Sequence, residues 1–436
     1  MSRTFAQPAA FVLTALYIFF EYVRPQGNYP VLNILPWARF TLIGAAVASL
    51  LAGRSSLSIR GGWILITAYT GILLASIAAA VYPEAGMAKL NLWLSWLVVI
   101  YIVSSACDNE EQFILLIGAF ILWNFKMSLG GFKSWASAGF RFRAWGISGP
   151  SGWFQNSGEF GIEMCVFLPI VIYFLIGLYP HLARWKKGLL AFAAVTTVVS
   201  ITGSSSRGAL VGGALVAIWM LWNSPSRVKG FIYLGVLTAI MWVFLPEAQK
   251  ERFRTAGDDG TSQNRITYWK DGIEIANRYP LTGIGYNNWL PYYNTYYPGR
   301  GRGQLPHNIF IEAWSELGYP GLITFILLIG YTFWENARTR RITNRDGPSP
   351  NRFAYYMSYG FDGALIGYLG SGFFITVLYY PYFWVNLAFT MGLASVARKG
   401  TGQKLSRRNP HSMVSRQSPA PQRAWSRPAA ASATHG

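Results

Sequence analysis

An all-α polytopic membrane protein is the fold class this sequence predicts. Three observations carry that reading: scarce charge, recurrent apolar segments of spanning length, and abundant interfacial aromatics. Charged residues make up 13% of the 436 positions and hydrophobic residues 52%. A soluble domain carries about 25% charge. The mean hydropathy of +0.27 suits many spans joined by polar loops better than one anchor on a soluble enzyme. The 18 Trp and 25 Tyr are residue types that collect where the bilayer meets water.

Crossing ~30 Å of hydrocarbon takes about 20 apolar residues. Candidate spans lie near 5–23, 37–52, 62–81, 90–107, 112–129, 158–178, 188–203, 208–222, 228–245, 309–334, 353–373 and 376–396, about twelve in all. Residues 1–245 would hold nine spans, 246–306 a long loop with short helices, 307–396 three more spans, and 397–436 a disordered basic tail. The first apolar run has no small-residue cleavage site, so it is expected to stay as a span.

The net charge is +19. Its distribution argues against a nucleic-acid partner. Eight of the basic residues, Arg398 to Arg427, stand in a Pro/Ser/Ala-rich tail without an acid. Such a segment cannot bury a core; beside a final span it is a topology signal and a contact for anionic lipid. Cys107 and Cys165 offer neither a disulfide framework nor metal-ligand spacing.

Cytoplasmic loops carry the Lys/Arg excess. With the N-terminus inside, the inner loops receive Arg54 and Arg60, then Arg184, Lys186 and Lys187, then Arg227 and Lys229, then Arg338 to Arg352. The basic tail also falls inside. Only the Asp108-Asn109-Glu110-Glu111 loop fails to support the rule. The outer side receives the turn Ser204–Gly208 and the 246–306 loop, long enough to be functional rather than a mere connection. In that loop Ile266, Trp269, Ile273 and Ala276 recur at helical spacing, with Thr261 or Ser262 as cap.

Of the four His, His307 alone faces outward in this topology. A neutral imidazole there can take a proton near neutral pH; an interfacial His that only hydrogen-bonds fits equally. Arg207 lies in a Gly/Ser turn where small neighbours admit an anion and the guanidinium forks onto phosphate oxygens; snorkelling to lipid phosphate is its alternative. Arg265 opens the loop helix, where the dipole favours an anion, or is a solvated charge. Arg300 and Arg302 add to the basic field. Glu312 and Glu316, one turn apart, would orient His307, pair with an Arg, or serve as polar contacts in the bundle. No phosphate-binding loop, dinucleotide fingerprint, Ser/His/Asp set or metal-ligand set stands out.

Three blocks then become recognisable in order: Ser206-Arg207-Gly208; Arg265…Trp269…Pro280-Leu281-Thr282-Gly283-Ile284-Gly285; and His307-Asn308…Glu312…Glu316-Leu317-Gly318…Gly321. The pattern resembles the O-antigen ligase family, which also holds O-antigen polymerases and bacterial O-oligosaccharyltransferases. That resemblance implies an enzyme of the bacterial inner membrane, with both termini cytoplasmic and a periplasmic site. It would move a glycan from undecaprenyl diphosphate to a hydroxyl of lipid A core, another glycan or a protein, inverting and without cofactor or metal. Arg207, Arg265 and His307 would be catalytic, and Asn308, Glu312, Glu316, Arg300 and Arg302 would help bind substrate. Ligase type is the first reading and polymerase or protein transferase the alternatives. Trp289, Tyr292, Tyr293, Tyr296 and Tyr297 would stack on sugars or anchor the loop. A transporter or flippase would instead use membrane charges such as Glu21 with Arg24, Glu163 and Asp362, but no inverted repeat supports it.

Overall fold

The computed structural model describes residues 3–54, 59–142, 146–232, 235, 247–254, 260–298 and 304–408. Their regular elements are all helical. In chain order the main helices are α1 (Arg3–Tyr22), α2 (Trp37–Leu51), α3 (Arg60–Ala78), α4 (Pro83–Ser105), α5 (Glu110–Ser137), α6 (Ser157–Leu178) and α7 (Arg184–Gly203). Then follow α8 (Arg207–Trp222), α9 (Glu247–Arg254), α10 (Gly260–Arg278), α11 (Trp289–Tyr296), α12 (Ile309–Thr343), α13 (Arg352–Gly372) and α14 (Pro381–Arg408). Six helical stretches are long and apolar enough to cross a membrane: Pro30–Leu51, which contains α2, then α3, α4, α5, Ser157–His181, which contains α6, and α12; α8 is a shorter apolar helix. The expected span at 228–245 lies mostly outside the described residues. Helix α14 runs on to Arg408, past the point where the tail was expected to lose order, because its first turns are locked in the core.

Helix α6 is apolar all round and buried along most of its length, the pattern of a central helix. It packs on α13 through small residues: a Cβ at Gly367 would meet Cys165 O at 2.8 Å, and one at Gly363 would meet Pro169 at 2.7 Å. Such contacts let backbones approach where lipid offers no hydrophobic drive. On the periphery, Phe40, Ile43, Val47 and Leu50 of α2 and Val211, Leu215 and Ile218 of α8 are exposed. These apolar stripes suit a lipid surround.

The acidic turn that breaks the charge rule has a physical answer. Arg54 bonds Asp108 at 2.9 Å and the carbonyls of Ser105 and Ala106, and Lys399 lies 3.3 Å from Asp108. Glu110 accepts from Asn351 at 2.6 Å. Asp108 is thus ion-paired at the bundle end and Glu110 is hydrogen-bonded there. Asp362 is likewise tied to Arg340 at 2.6 Å and to Asn336 at 2.8 Å, and Arg398 pairs with Glu335.

The connection from α10 to α12 is ordered by a defect in α12. Pro320 has no N–H to give to Glu316 O, its helical partner four residues back, and Gly318 turns the chain with φ 68°. The Pro280–Gly285 segment repairs the gap: Ile284 N donates to Ser315 O at 2.9 Å, Gly285 N to Glu316 O at 3.1 Å, and Tyr319 N to Pro280 O at 2.8 Å. The same segment reaches α3 and α4. Val81 N donates to Ile284 O, Tyr286 N to Ser76 Oγ, and Asn288 exchanges bonds with Tyr82. Glu316 completes the clamp by accepting from Asn287 N (2.9 Å) and Trp289 N (3.2 Å).

The loop helix α10 forms where periodicity predicts, but its buried face is rotated. Tyr268, Ile275 and Ala276 are buried while Ile273 is 39% exposed. A small loop core of Trp289, Tyr292, Tyr293 and Ile311 recruits Tyr268 and Ile275, and this leaves Ile266 and Trp269 to another surface. The helix starts at Gly260, so Thr261 and Ser262 sit in its first turn and do not cap it.

The clamp leaves Gly283 tightly constrained. Its φ is +63°, and a Cβ there would meet Glu316 backbone at 2.3 Å. Gly283→Ala should cost about 2 kcal/mol or more through left-handed strain and backbone clash. The expected outcome is a lower melting temperature in detergent, with protease cleavage appearing between α10 and α11. Unchanged melting would show that the docking is not needed for stability.

Candidate functional site

Helices α6 and α8 begin at one chamber, and α12 begins just beyond it, after His307. Asn156 caps α6, its Oδ1 accepting from Gly158 N at 3.2 Å. Ser206 caps α8, its Oγ accepting from Ala209 N at 3.3 Å. Asn308 caps α12, accepting from Phe310 N at 2.8 Å and Ile311 N at 3.2 Å. Helix N-termini carry partial positive charge and spare N–H groups, so their convergence favours an anion.

Arg207, Arg265 and His307 all line this chamber, which has a volume of about 450 Å³ and is completed by Asn156, Ser157 and Ser206. Arg207 is the first residue of α8. Arg265 comes from α10, held above the bundle by the clamp. Trp269, one turn further along α10, donates from Nε1 to Pro306 O at 2.9 Å. Its ring meets Phe373 edge-on at 5.3 Å. The Arg–x3–Trp spacing thus ties the Arg265 helix to the residue preceding His307.

His307 and Ser205 both adopt left-handed backbone, with φ of 51° and 52°. Non-glycine residues pay for that conformation, and such strain gathers at functional sites. His307 N donates to Thr376 Oγ1 at 2.8 Å. Nδ1 of the ring is buried without a hydrogen-bond partner among the described residues. Burial, and then the Arg265 charge, push the His307 pKa down to about 4. The imidazole is therefore neutral near pH 7.

A second cavity of about 460 Å³ opens from the first and shares Arg207, Arg265 and Phe374 with it. Apart from Ser262, its remaining wall is apolar: Gly208, Leu210, Val211 and Ala214 of α8, and Ile266 and Trp269 of α10. Val211 is also part of the exposed α8 stripe. A charged chamber thus continues into an apolar groove at the lipid-facing flank.

Other sequence-predicted site residues lie elsewhere. Asn308 is buried and its side-chain oxygen is committed to the α12 cap, so it is a structural cap and does not line the chamber. Glu312 accepts from Leu378 N at 3.2 Å, and Glu316 serves the clamp. Both are buried behind the chamber and line neither cavity. Arg300 and Arg302 lie outside the described residues. Trp289, Tyr292 and Tyr293 are buried in the loop core and unavailable to a sugar, whereas Tyr296 is 51% exposed. Of the acids a transporter would use, Glu21 pairs with Arg24 and accepts from Trp153, and Asp362 is ion-paired; Glu163 is fully buried with neither oxygen bonded among the described residues. Thr376 escaped sequence reasoning, whereas Ser205 lay in the Ser204–Gly208 turn and the Asn156 region before α6 shared the family resemblance, neither with a role assigned. Thr376 gave no signal, being read as the start of a span.

Two comparisons bear on this geometry. Residues 166–326 match the family model described as O-antigen ligase. The chain is also 33% identical over 179 residues to the exopolysaccharide production protein ExoQ of Rhizobium meliloti (strain 1021), a match covering 38% of this chain and 41% of that protein. The matched family region contains the Ser206-Arg207-Gly208 turn, the Arg265–Gly285 block and the His307–Gly321 block. Residues 166–326 of this membrane protein are therefore similar to the O-antigen ligase family.

Proposed function

We propose that the protein transfers a glycan from a polyprenyl diphosphate to an acceptor hydroxyl, with the chamber on the periplasmic side of the bacterial inner membrane. The observation that carries this reading is the meeting of Arg207, Arg265 and His307 in one chamber continuous with an apolar groove. A diphosphate with a long apolar tail matches that division in charge and polarity. The N-termini of α6 and α8, which line the chamber, add to the field.

The reaction is a displacement at the anomeric carbon. The acceptor oxygen forms the new glycosidic bond while the bond to the diphosphate breaks. The departing electron pair stays on the lipid diphosphate, where the two guanidiniums stabilise it. Fixed charge of this kind is the larger catalytic contribution in such sites. The acceptor proton passes to the neutral His307 imidazole. A base of pKa about 4 is weak in the free enzyme, and bound diphosphate raises its basicity by placing negative charge beside it. A single displacement inverts the anomeric centre.

Lipid A core, a growing glycan and a protein are the acceptor classes. Similarity to a protein named for exopolysaccharide production favours a growing glycan, hence polymerisation, over the ligase reading. The long-loop organisation, the about twelve spans and cytoplasmic termini complete the proposal.

Four outcomes test it. His307→Ala should lower turnover of lipid-linked glycan by about 10²–10⁴-fold. Arg207→Ala and Arg265→Ala should each lower it by about 10²–10³-fold, all three variants inserting normally; wild-type rates in His307→Ala reject the scheme. Because the free imidazole is held below its usual 6.5, it loses base function only as pH falls through about 4. The acid limb of kcat/KM, which reports the free enzyme, should therefore lie well below pH 6; a limb at 6.5 or above contradicts the assignment. Turnover should persist in EDTA, and an absolute metal requirement would overturn the mechanism. For topology, both native cysteines are buried, so a Cys at Leu281, 75% exposed, should react with impermeant maleimide from outside and one at Arg345 should not. The reverse pattern inverts the protein.

A further inference from the structure

His307 occupies an unfavourable backbone region, φ 51°, and something must hold it there. Left-handed backbone is unfavourable for an L-residue, by an amount comparable to one good hydrogen bond. The hydrogen bond recorded for its backbone N–H goes to Thr376 Oγ1, at 2.8 Å. Thr376 is 7% exposed and lines neither cavity. It stands behind the wall formed by Phe374 and Ile375.

The segment carrying Thr376 joins α13 to α14 without helix, yet it is held from three directions. Leu378 N donates to Glu312 of α12 at 3.2 Å. Trp384 of α14 donates from Nε1 to Leu378 O at 2.9 Å. Trp96 of α4 donates from Nε1 to Tyr379 O at 2.8 Å. Glu312 also lies one turn beyond His307 on the helix that His307 precedes. The strap and the His307 turn are thereby locked to each other at two points, Thr376 with His307 and Leu378 with Glu312. A rotated His307 backbone would swing the imidazole away from the chamber shared with Arg207 and Arg265.

We propose that Thr376 is a positioning residue, whose hydroxyl oxygen holds His307 in its left-handed conformation from a strap pinned by Glu312. This rests on the transfer function proposed above. Thr376 touches neither donor nor acceptor and acts only through His307.

The test compares Thr376→Val, which keeps the shape and removes the acceptor oxygen, with Thr376→Ser, which keeps the oxygen. Protein in lipid nanodiscs is assayed with lipid-linked glycan, and the imidazole 15N resonance of His307 is assigned by its loss in His307→Gln. Thr376→Val should lower kcat about ten- to a hundredfold with little change in KM, since lost orientation acts on the chemical step. The His307 resonance should shift. Thr376→Ser should recover most of the rate and the native resonance. Wild-type kcat and an unmoved resonance in Thr376→Val overturn the proposal, as does a Thr376→Ser variant no better than Thr376→Val. Should Thr376→Val not insert, Thr376→Ala is read by the same criteria. Full activity in His307→Gln would sink the transfer reading itself, whereas an inactive His307→Gln beside a fully active Thr376→Val sinks only the role of Thr376.

Discussion

The exchange of backbone hydrogen bonds at the Gly318–Pro320 break of α12 is the constraint on which the rest of the site depends. A helix interrupted by proline leaves carbonyls without donors, and such groups are costly in a bilayer or a dry interior. Here Ile284 and Gly285 supply the donors, and Tyr319 turns its own N–H to Pro280. The penalty is removed by another part of the chain instead of by water. Consequently the segment after α10 cannot drift, and the helix bearing Arg265 is fixed to the helix that follows His307.

Glu312 and Glu316 take their meaning from this arrangement. Carboxylates on the first turns of a helix look like ligand-binding groups. Packed against irregular backbone, they are acceptors for N–H groups that have no secondary structure to satisfy them: Asn287 and Trp289 for Glu316, Leu378 for Glu312. They stabilise the two non-helical segments that frame the chamber. Buried polar groups are costly unless hydrogen-bonded, so these acids keep their neighbouring segments in one register.

The chamber gathers positive potential from unlike sources: two guanidiniums on different elements and the N-termini of α6 and α8. Concentrated like charge opposes folding, and the fold tolerates it because each source is anchored separately, by a cap or by the clamp. The imidazole in the same space responds by staying neutral. Its lowered pKa and the cationic wall are two results of one arrangement, a site shaped for negative charge beside an uncharged proton acceptor.

Much was legible along the chain. Low charge, apolar runs and interfacial aromatics indicated a helical membrane protein because hydropathy is a local sum, and Ser-Arg-Gly, Arg–x3–Trp and His-Asn marked the residues that meet. The rotated face of α10 was not legible, because Ile273 is as apolar as Ile275 and only the aromatic loop core chooses between them. Nor were Asn308 and the two glutamates separable from ligand contacts, since a cap and a binding group use the same oxygen. Sequence by itself determined that the chain is a helical membrane protein and which residue types could handle a diphosphate, because both follow from composition and spacing. Tertiary structure alone decided that Arg207, Arg265 and His307 share one chamber and that Thr376 stands behind it, because convergence depends on helix packing and on hydrogen bonds exchanged between segments far apart in the chain.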